Sequence, residues 1–230
     1  MNKGRVFIAC AWLLLGLLSL PPTADAVTKE SWTQENSPTG YILNAVCAVN
    51  ENLAWAVGEY GTILRRTDYG TFQIWESLNS ATQYDFNGVD VLASDTRYVW
   101  VVGVDRGTGA GVLFKSANGN DPTPTWNVVN IPQTIPTPFM SVKVYSNQII
   151  YISGANGTIL RTRDGGLTWD RIPSPPTQLL KDTVSVWHNS LWLNPYNSDC
   201  LWTSGDAFNY LGFTNDAGLN WAAYMTCPHR

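Results

Sequence analysis

The stretch Thr162-Arg163-Asp164-Gly165-Gly166-Leu167-Thr168-Trp169 returns as Thr214-Asn215-Asp216-Ala217-Gly218-Leu219-Asn220-Trp221. A looser copy runs from Asp68-Tyr69-Gly70 to Trp75, and a degraded one from Ser116-Ala117-Asn118-Gly119 to Trp126. Trp32, Trp75, Trp126, Trp169 and Trp221 follow one another at steps of 43, 51, 43 and 52 residues. A period of this length marks an array of supersecondary units, and four short strands per unit is the reading of a propeller blade. The expected fold is all-β: a β-propeller, or a propeller-like arc, of four repeated four-stranded antiparallel blades.

Three further strands surround each copy of the phrase. A first strand carries a large apolar residue, then a small residue followed by Val: Leu43…Ala45-Val46, Phe86…Gly88-Val89 and Phe139…Ser141-Val142, with Thr183-Val184-Ser185-Val186 in the fourth copy. A second strand ends on glycine: Trp55-Ala56-Val57-Gly58, Trp100-Val101-Val102-Gly103, Tyr151-Ile152-Ser153-Gly154 and Trp202-Thr203-Ser204-Gly205. Alternation and β-branched content support strands at both places. Gly58 to Leu64 matches Gly154 to Leu160, where two glycines three apart supply the positive φ of a short hairpin leading to a third strand. The sheets are expected at about 40–55, 85–130, 139–172 and 183–226.

The phrase itself is turn chemistry. An Asp carboxylate opening a turn accepts backbone N–H groups, Gly takes the strained position, a hydroxyl ties the hairpin, and Trp buries its ring between sheets. Asp68, Gly70, Trp75, Asn118, Trp126, Thr162, Asp164, Gly166, Trp169, Thr214, Asp216, Gly218 and Trp221 are therefore assigned structural roles, with their acids engaged in their own turns rather than free for catalysis. The chain holds five Trp strands against four sets of the other three, so residues 30–35 read as a spare fourth strand. Such an array either closes a small ring with an extra strand or stays an open arc, and an open edge recruits a second copy or a partner. A shortened relic of a larger propeller has the same pattern.

Residues 1–26 stand apart. Lys3 and Arg5 precede an apolar run from Val6 to Leu20, and Ala24-Asp25-Ala26 is an A-x-A signal. The run falls short of the roughly 20 residues that span a bilayer, so cleavage near Ala26 is expected instead of a membrane anchor. The protein is then periplasmic or secreted, with residues 27–230 as one domain. The whole chain carries a net charge of −4, and the leader adds to the basic side of that balance, so nucleic acid and anionic membrane are not expected partners. Cys47, Cys200 and Cys227 remain after cleavage, an odd number whose pairing the sequence leaves open. No spacing matches a metal site or a cofactor motif.

Thr162-x-Asp164-x-Gly166-x-Thr168-Trp169 resembles the Asp box of bacterial neuraminidase repeats. The longer string Val-Gly-x-x-Gly-Thr-Ile-Leu-Arg…Asp-x-Gly…Trp resembles the photosystem II stability and assembly factor family of exported propellers. The likeness covers nearly all of residues 32–226, strongest in the first and third copies and weakest in the second. It implies a non-enzymatic propeller, usually a larger ring, with an arginine-bearing surface that engages its partner.

Two groups of residues are candidates for binding. Arg65, Lys115 and Arg161 stand three positions before the Asp or Asn of their copies, with Phe213 in the fourth, and Arg106 lies in an expanded hairpin. They either form a basic binding face or lay their stems over neighbouring rings. Trp187, His188 and Trp192 belong to an aromatic stretch, 187–196, that reads either as a long ligand-binding loop or as a strand whose rings are core. No catalytic Ser/His/Asp or Cys/His pattern is present. Arg171-Ile172-Pro173 echoes part of a sialidase motif but follows an Asp box instead of preceding one. The favoured function is an exported, non-catalytic scaffold that binds a protein or surface ligand. The alternative is a glycan-binding or sialidase-like module.

Overall fold

A computed structural model of the chain describes residues 34–68, 73–131, 137–173, 188–205 and 210–225. The leader, residues 30–33 of the expected spare strand, Gly70, Trp187 and Cys227 lie outside the described residues, as does the side chain of Asp68, and Gln34 and Glu35 are in no strand. Residues 36–230 form one compact unit, and residues 1–35 a separate one.

Among the described residues sixteen strands make four antiparallel sheets of four, each in simple chain order. The first is β1 (Leu43–Asn50), β2 (Leu53–Gly58), β3 (Ile63–Asp68) and β4 (Gln73–Leu78). The second is β5 (Asp85–Val91), β6 (Val99–Val104), β7 (Gly111–Ser116) and β8 (Asn127–Val128). The third is β9 (Phe139–Val144), β10 (Ile150–Gly154), β11 (Thr158–Thr162) and β12 (Asp170–Arg171). The fourth is β13 (His188–Leu193), β14 (Leu201–Gly205), β15 (Tyr210–Thr214) and β16 (Ala222–Met225). The repeat thus does produce four blades. The first runs on to Leu78 instead of ending near 55, because the strands holding Ile63 and Trp75 belong to it.

The fourth inner strand also departs from expectation. It is His188–Leu193, not residues 183–186, which lie outside the described residues. His188-Asn189-Ser190-Leu191 pairs with β14 in the way Phe86-Asn87-Gly88-Val89 pairs with β6. A polar His replaces the apolar lead residue there, which hides the strand from a search for hydrophobic alternation.

The inner strands pack side by side in the order β1, β5, β9, β13, whereas β13 does not lie along β1. Facing blades bury one apolar layer at each joint. Trp55, Val57 and Ile63 meet Val89, Val99 and Val101; Trp100, Val102 and Leu113 meet Val142, Ile150 and Ile152; Tyr151 and Ile159 meet Leu191 and Leu201. Two middle blades buried on both faces contribute most of the hydrophobic stabilisation. The small residue of each first strand has a packing cause. A Cβ on Gly88 would stand 3.1 Å from the Met140 carbonyl oxygen, so β9 approaches too closely for a larger side chain.

Candidate binding surfaces

The predicted cations meet the blade joints first. Strand register sets Arg65 opposite Trp55, Lys115 opposite Trp100, Arg161 opposite Tyr151, and Phe213 opposite Trp202. Each cation then reaches a backbone carbonyl in the Asp phrase of the following blade. Arg65 donates to the Gly119 and Asp121 carbonyls, the latter at 2.7 Å, and pairs with Glu76 at 2.7 Å. Lys115 reaches the Gly165 carbonyl at 3.3 Å with its Nζ 4.8 Å from the centre of the Trp100 ring, and burial lowers its pKa. Arg161 reaches the Ala217 carbonyl at 3.4 Å and Asp170 at 3.6 Å. A charge-assisted bond to a carbonyl that would otherwise lose its water stabilises each joint. These three residues are clamps between blades, not a free basic face.

Tryptophans complete the same joints. Trp126 stands edge-on to Trp55 at 6.0 Å, Trp169 to Trp100 at 6.5 Å, and Trp221 packs in the cluster around Tyr151. The Asp phrases have the expected bonding. Asp164 accepts from the Thr162 hydroxyl at 2.7 Å, the Thr168 N–H at 2.9 Å and the Thr168 hydroxyl. These donors, the Thr168 hydroxyl foremost, hold its pKa at about 2. Asp216 repeats this with Thr214 and Asn220, and its pKa is lowered in turn. In the degraded copy the amide oxygen of Asn118 accepts from the Thr125 N–H at 2.9 Å, so the turn survives without a carboxylate.

A further joint contact, made by Asn at one repeated position, is absent from the sequence reading. Each inner strand begins with a register shift in its pairing, and three of the four hold Asn there: Asn44, Asn87 and Asn189. Asn44 donates to the Phe86 carbonyl and Asn87 to the Phe139 carbonyl, both at 2.9 Å. The signal was an Asn directly after the lead residue of copies one and two.

Of the aromatic stretch, His188 is fully buried with Nδ1 3.1 Å from the Thr203 hydroxyl. It occupies the place of Phe86 and Phe139, so of the two readings of the aromatic stretch the strand is the one the fold has, over His188–Leu193. Trp192 is half-exposed on β13, directly opposite Trp202.

Arg106 differs from the other candidate cations. It lies at the face where the inner strands start, with its guanidinium 4.0 Å from the centre of the Tyr60 ring. Asp85 and Glu59 hold it there, and the bond to Asp85 raises its pKa. Tyr41 lies 4.8 Å from Tyr60, and both tyrosines are exposed. Tyr60 has φ +53°, a left-handed conformation that costs a bulky residue about 1–2 kcal/mol. The equivalent residue of the third blade, Asn156 at φ +56°, belongs to a type that tolerates it. The first blade thus holds an aromatic ring where strain disfavours one.

At the opposite face the ends of all four inner strands enclose a cleft of about 370 Å³. Asp90 stands in its wall, bonded to the Val144 N–H at 2.7 Å, to Lys143 at 3.4 Å and to the Cys47 thiol at 3.5 Å. Burial, and then the Asp90 charge, push the Cys47 thiol up to about 11. A neutral thiol and a carboxylate with three partners form a closed set rather than a nucleophile and base. Among the described residues no cluster of His, Cys, Asp or Glu could hold a metal.

These blades match known propellers. YCF48 from Cyanidioschyzon merolae superposes with a TM-score of 0.63 at 18% identity, over 86% of this chain and 61% of that one. The GH74 xyloglucanase from Xanthomonas campestris gives 0.61 at 14% identity, over 82% of this chain and 31% of that one. A YCF48 bound to a D1 peptide gives 0.47 at 15% identity, over 81% of this chain and 83% of that one. The chain therefore spans only part of the larger of these propellers. No curated protein matches it in sequence. The profile described as Photosynthesis system II assembly factor YCF48 matches residues 23–161, more than half of the sequence, and the chain belongs to that family.

Proposed function

We propose that the protein is an exported, non-catalytic propeller arc that holds a protein partner, as the assembly-factor description of its family suggests. The observation that carries this reading is the Tyr41–Tyr60–Arg106 platform. A strained, exposed ring fixed by a twice-paired arginine is preorganised for contact, and Tyr and Arg are the residue types that anchor protein interfaces. The leader read in residues 1–26 supports action in the periplasm or outside the cell. The glycan reading draws less support, because Trp187 lies outside the described residues and Trp192 belongs to a blade face whose counterparts in other blades are joints.

The test is capture of partners from the native envelope fraction on immobilised protein. Tyr60→Asn, which installs the third-blade residue, should leave the fold intact and abolish capture. Undiminished capture by folded Tyr60→Asn protein would place the binding surface elsewhere.

A further inference from the structure

The two ends of the arc carry the two halves of one joint. At each internal joint the Val or Leu four residues into the inner strand is covered by the preceding blade: Val89, Val142 and Leu191 are all buried. Val46 holds that position in β1 and is 68% exposed. The lead residue repeats the contrast, since Phe86, Phe139 and His188 are buried while Leu43 is exposed. Blade one therefore presents a bare receiving face along its inner strand.

Blade four presents the complementary one. Asn189 occupies the bulge position from which Asn44 and Asn87 bond to the lead-residue carbonyl of the next blade. It is exposed, as Asn44 is, and among the described residues no inner strand follows β13 and β13 does not lie along β1. Ser190 and Trp192, which share the outward face of β13, are exposed as well, whereas the matching Gly88 is buried.

We infer that two copies of this chain join head to tail, blade four of each docking on blade one of the other. The contact repeats, along the inner strands alone, the pairing of β1 with β5, β5 with β9 and β9 with β13. Asn189 would donate to the Leu43 carbonyl of the second copy, and Trp192 would cover Val46. Farther out on that face Ala54, Ala56 and Leu64 are already buried, so the joint is confined to the inner strands. Phe213 fits this limit: the outer clamp cation of the other blades is replaced where no outer carbonyl is met. A heterologous contact of this kind closes when each end finds the other, and two arcs of four blades then make one ring of eight. The docking edge begins at Leu43, close to Tyr41 of the partner platform, but its test reads self-association and not capture of the envelope partner.

The test is the mass in solution of the protein purified from cells expressing the full sequence, measured by light scattering at micromolar concentration. The wild type should be a dimer. Val46→Lys and Asn189→Lys should each be monomers, since each damages both joints of a symmetric pair. An equimolar mixture of the two should recover dimers, because one joint then has both wild-type halves. Asn189→Ala, which removes only the donor, should weaken the dimer by up to about tenfold. Circular dichroism checks that the variants, both at exposed positions, keep the β fold. A wild-type monomer, a dimer that survives either Lys variant, or a mixture that stays monomeric would each overturn the inference. The first of these outcomes would leave the ends to a different protein.

Discussion

Arg65 stands opposite Trp55 in the register of the first blade, its guanidinium 5.7 Å from the ring centre, and reaches across the joint to two carbonyls of the second. One side chain therefore ties a strand to its neighbour and a blade to the next. Arg65→Leu keeps much of the apolar stem but strands Glu76 and the two carbonyls. We expect a loss of about 2–4 kcal/mol in chemical denaturation, the cost of leaving buried polar partners unmet. A loss below about 0.5 kcal/mol, the scale of an exposed ion pair, would contradict the clamp role.

The Asp phrases should show in the pH dependence of stability. Asp164 is held at about 2, below its ordinary 3.8, so the folded chain binds that proton less readily than the unfolded one. Its contribution is full above pH 4 and is lost as pH falls toward 2. The gap in melting temperature between wild type and Asp164→Asn should accordingly shrink across that window. A gap that stays constant from pH 7 to pH 2 would show that the carboxylate charge does nothing there.

Cys47 should behave as an inert thiol. With its pKa pushed up to about 11 by burial and by Asp90, little thiolate exists at pH 8. In Cys200→Ser/Cys227→Ser protein, Ellman's reagent should label Cys47 slowly in the folded state and rapidly in urea. Asp90→Asn, which removes the charge that opposes ionisation, should speed native labelling. Equal native rates with and without Asp90 would remove the electrostatic account.

Tyr60 offers a test of strain. Tyr60→Asn deletes the contacts with Tyr41 and Arg106, together about 1–2 kcal/mol at an exposed site, and relieves a left-handed tyrosine of similar cost. Stability should stay within about 1 kcal/mol of wild type. Tyr60→Val, a β-branched residue at positive φ, should instead destabilise clearly. If both substitutions cost the same, backbone strain is not a property of that turn.

Much of the architecture was legible because it is periodic. The Trp phase, the Val and Gly positions and the Asp phrases each report one strand or turn, and local chemistry alone fixes them. The candidate site was less legible, because it depends on what lies across a joint. Nothing near Arg161 in the sequence says that the Ala217 carbonyl, in the next blade, comes within its reach. Asn44 and Asn87 fall inside the first strands of the repeat, and only the bulge shows that they aim at the following strand. The strand at His188 stayed one of two readings because a polar side chain fills a position that Phe86 and Phe139 make apolar. Arg106 gave no sign in sequence of its stacking on Tyr60, since the two belong to different blades.

Under the proposed function there is a division of labour: the strand cations hold blades together, and the Tyr60 platform would hold the partner. Binding of the envelope partner, corrected for the fraction of protein folded, to Arg161→Met and Tyr60→Asn tests it most directly. Arg161→Met should melt at lower temperature yet bind normally when folded, while Tyr60→Asn should melt near wild type and not bind. Lost binding in stably folded Arg161→Met, with Tyr60→Asn binding unchanged, would contradict it and return the cations to the binding face.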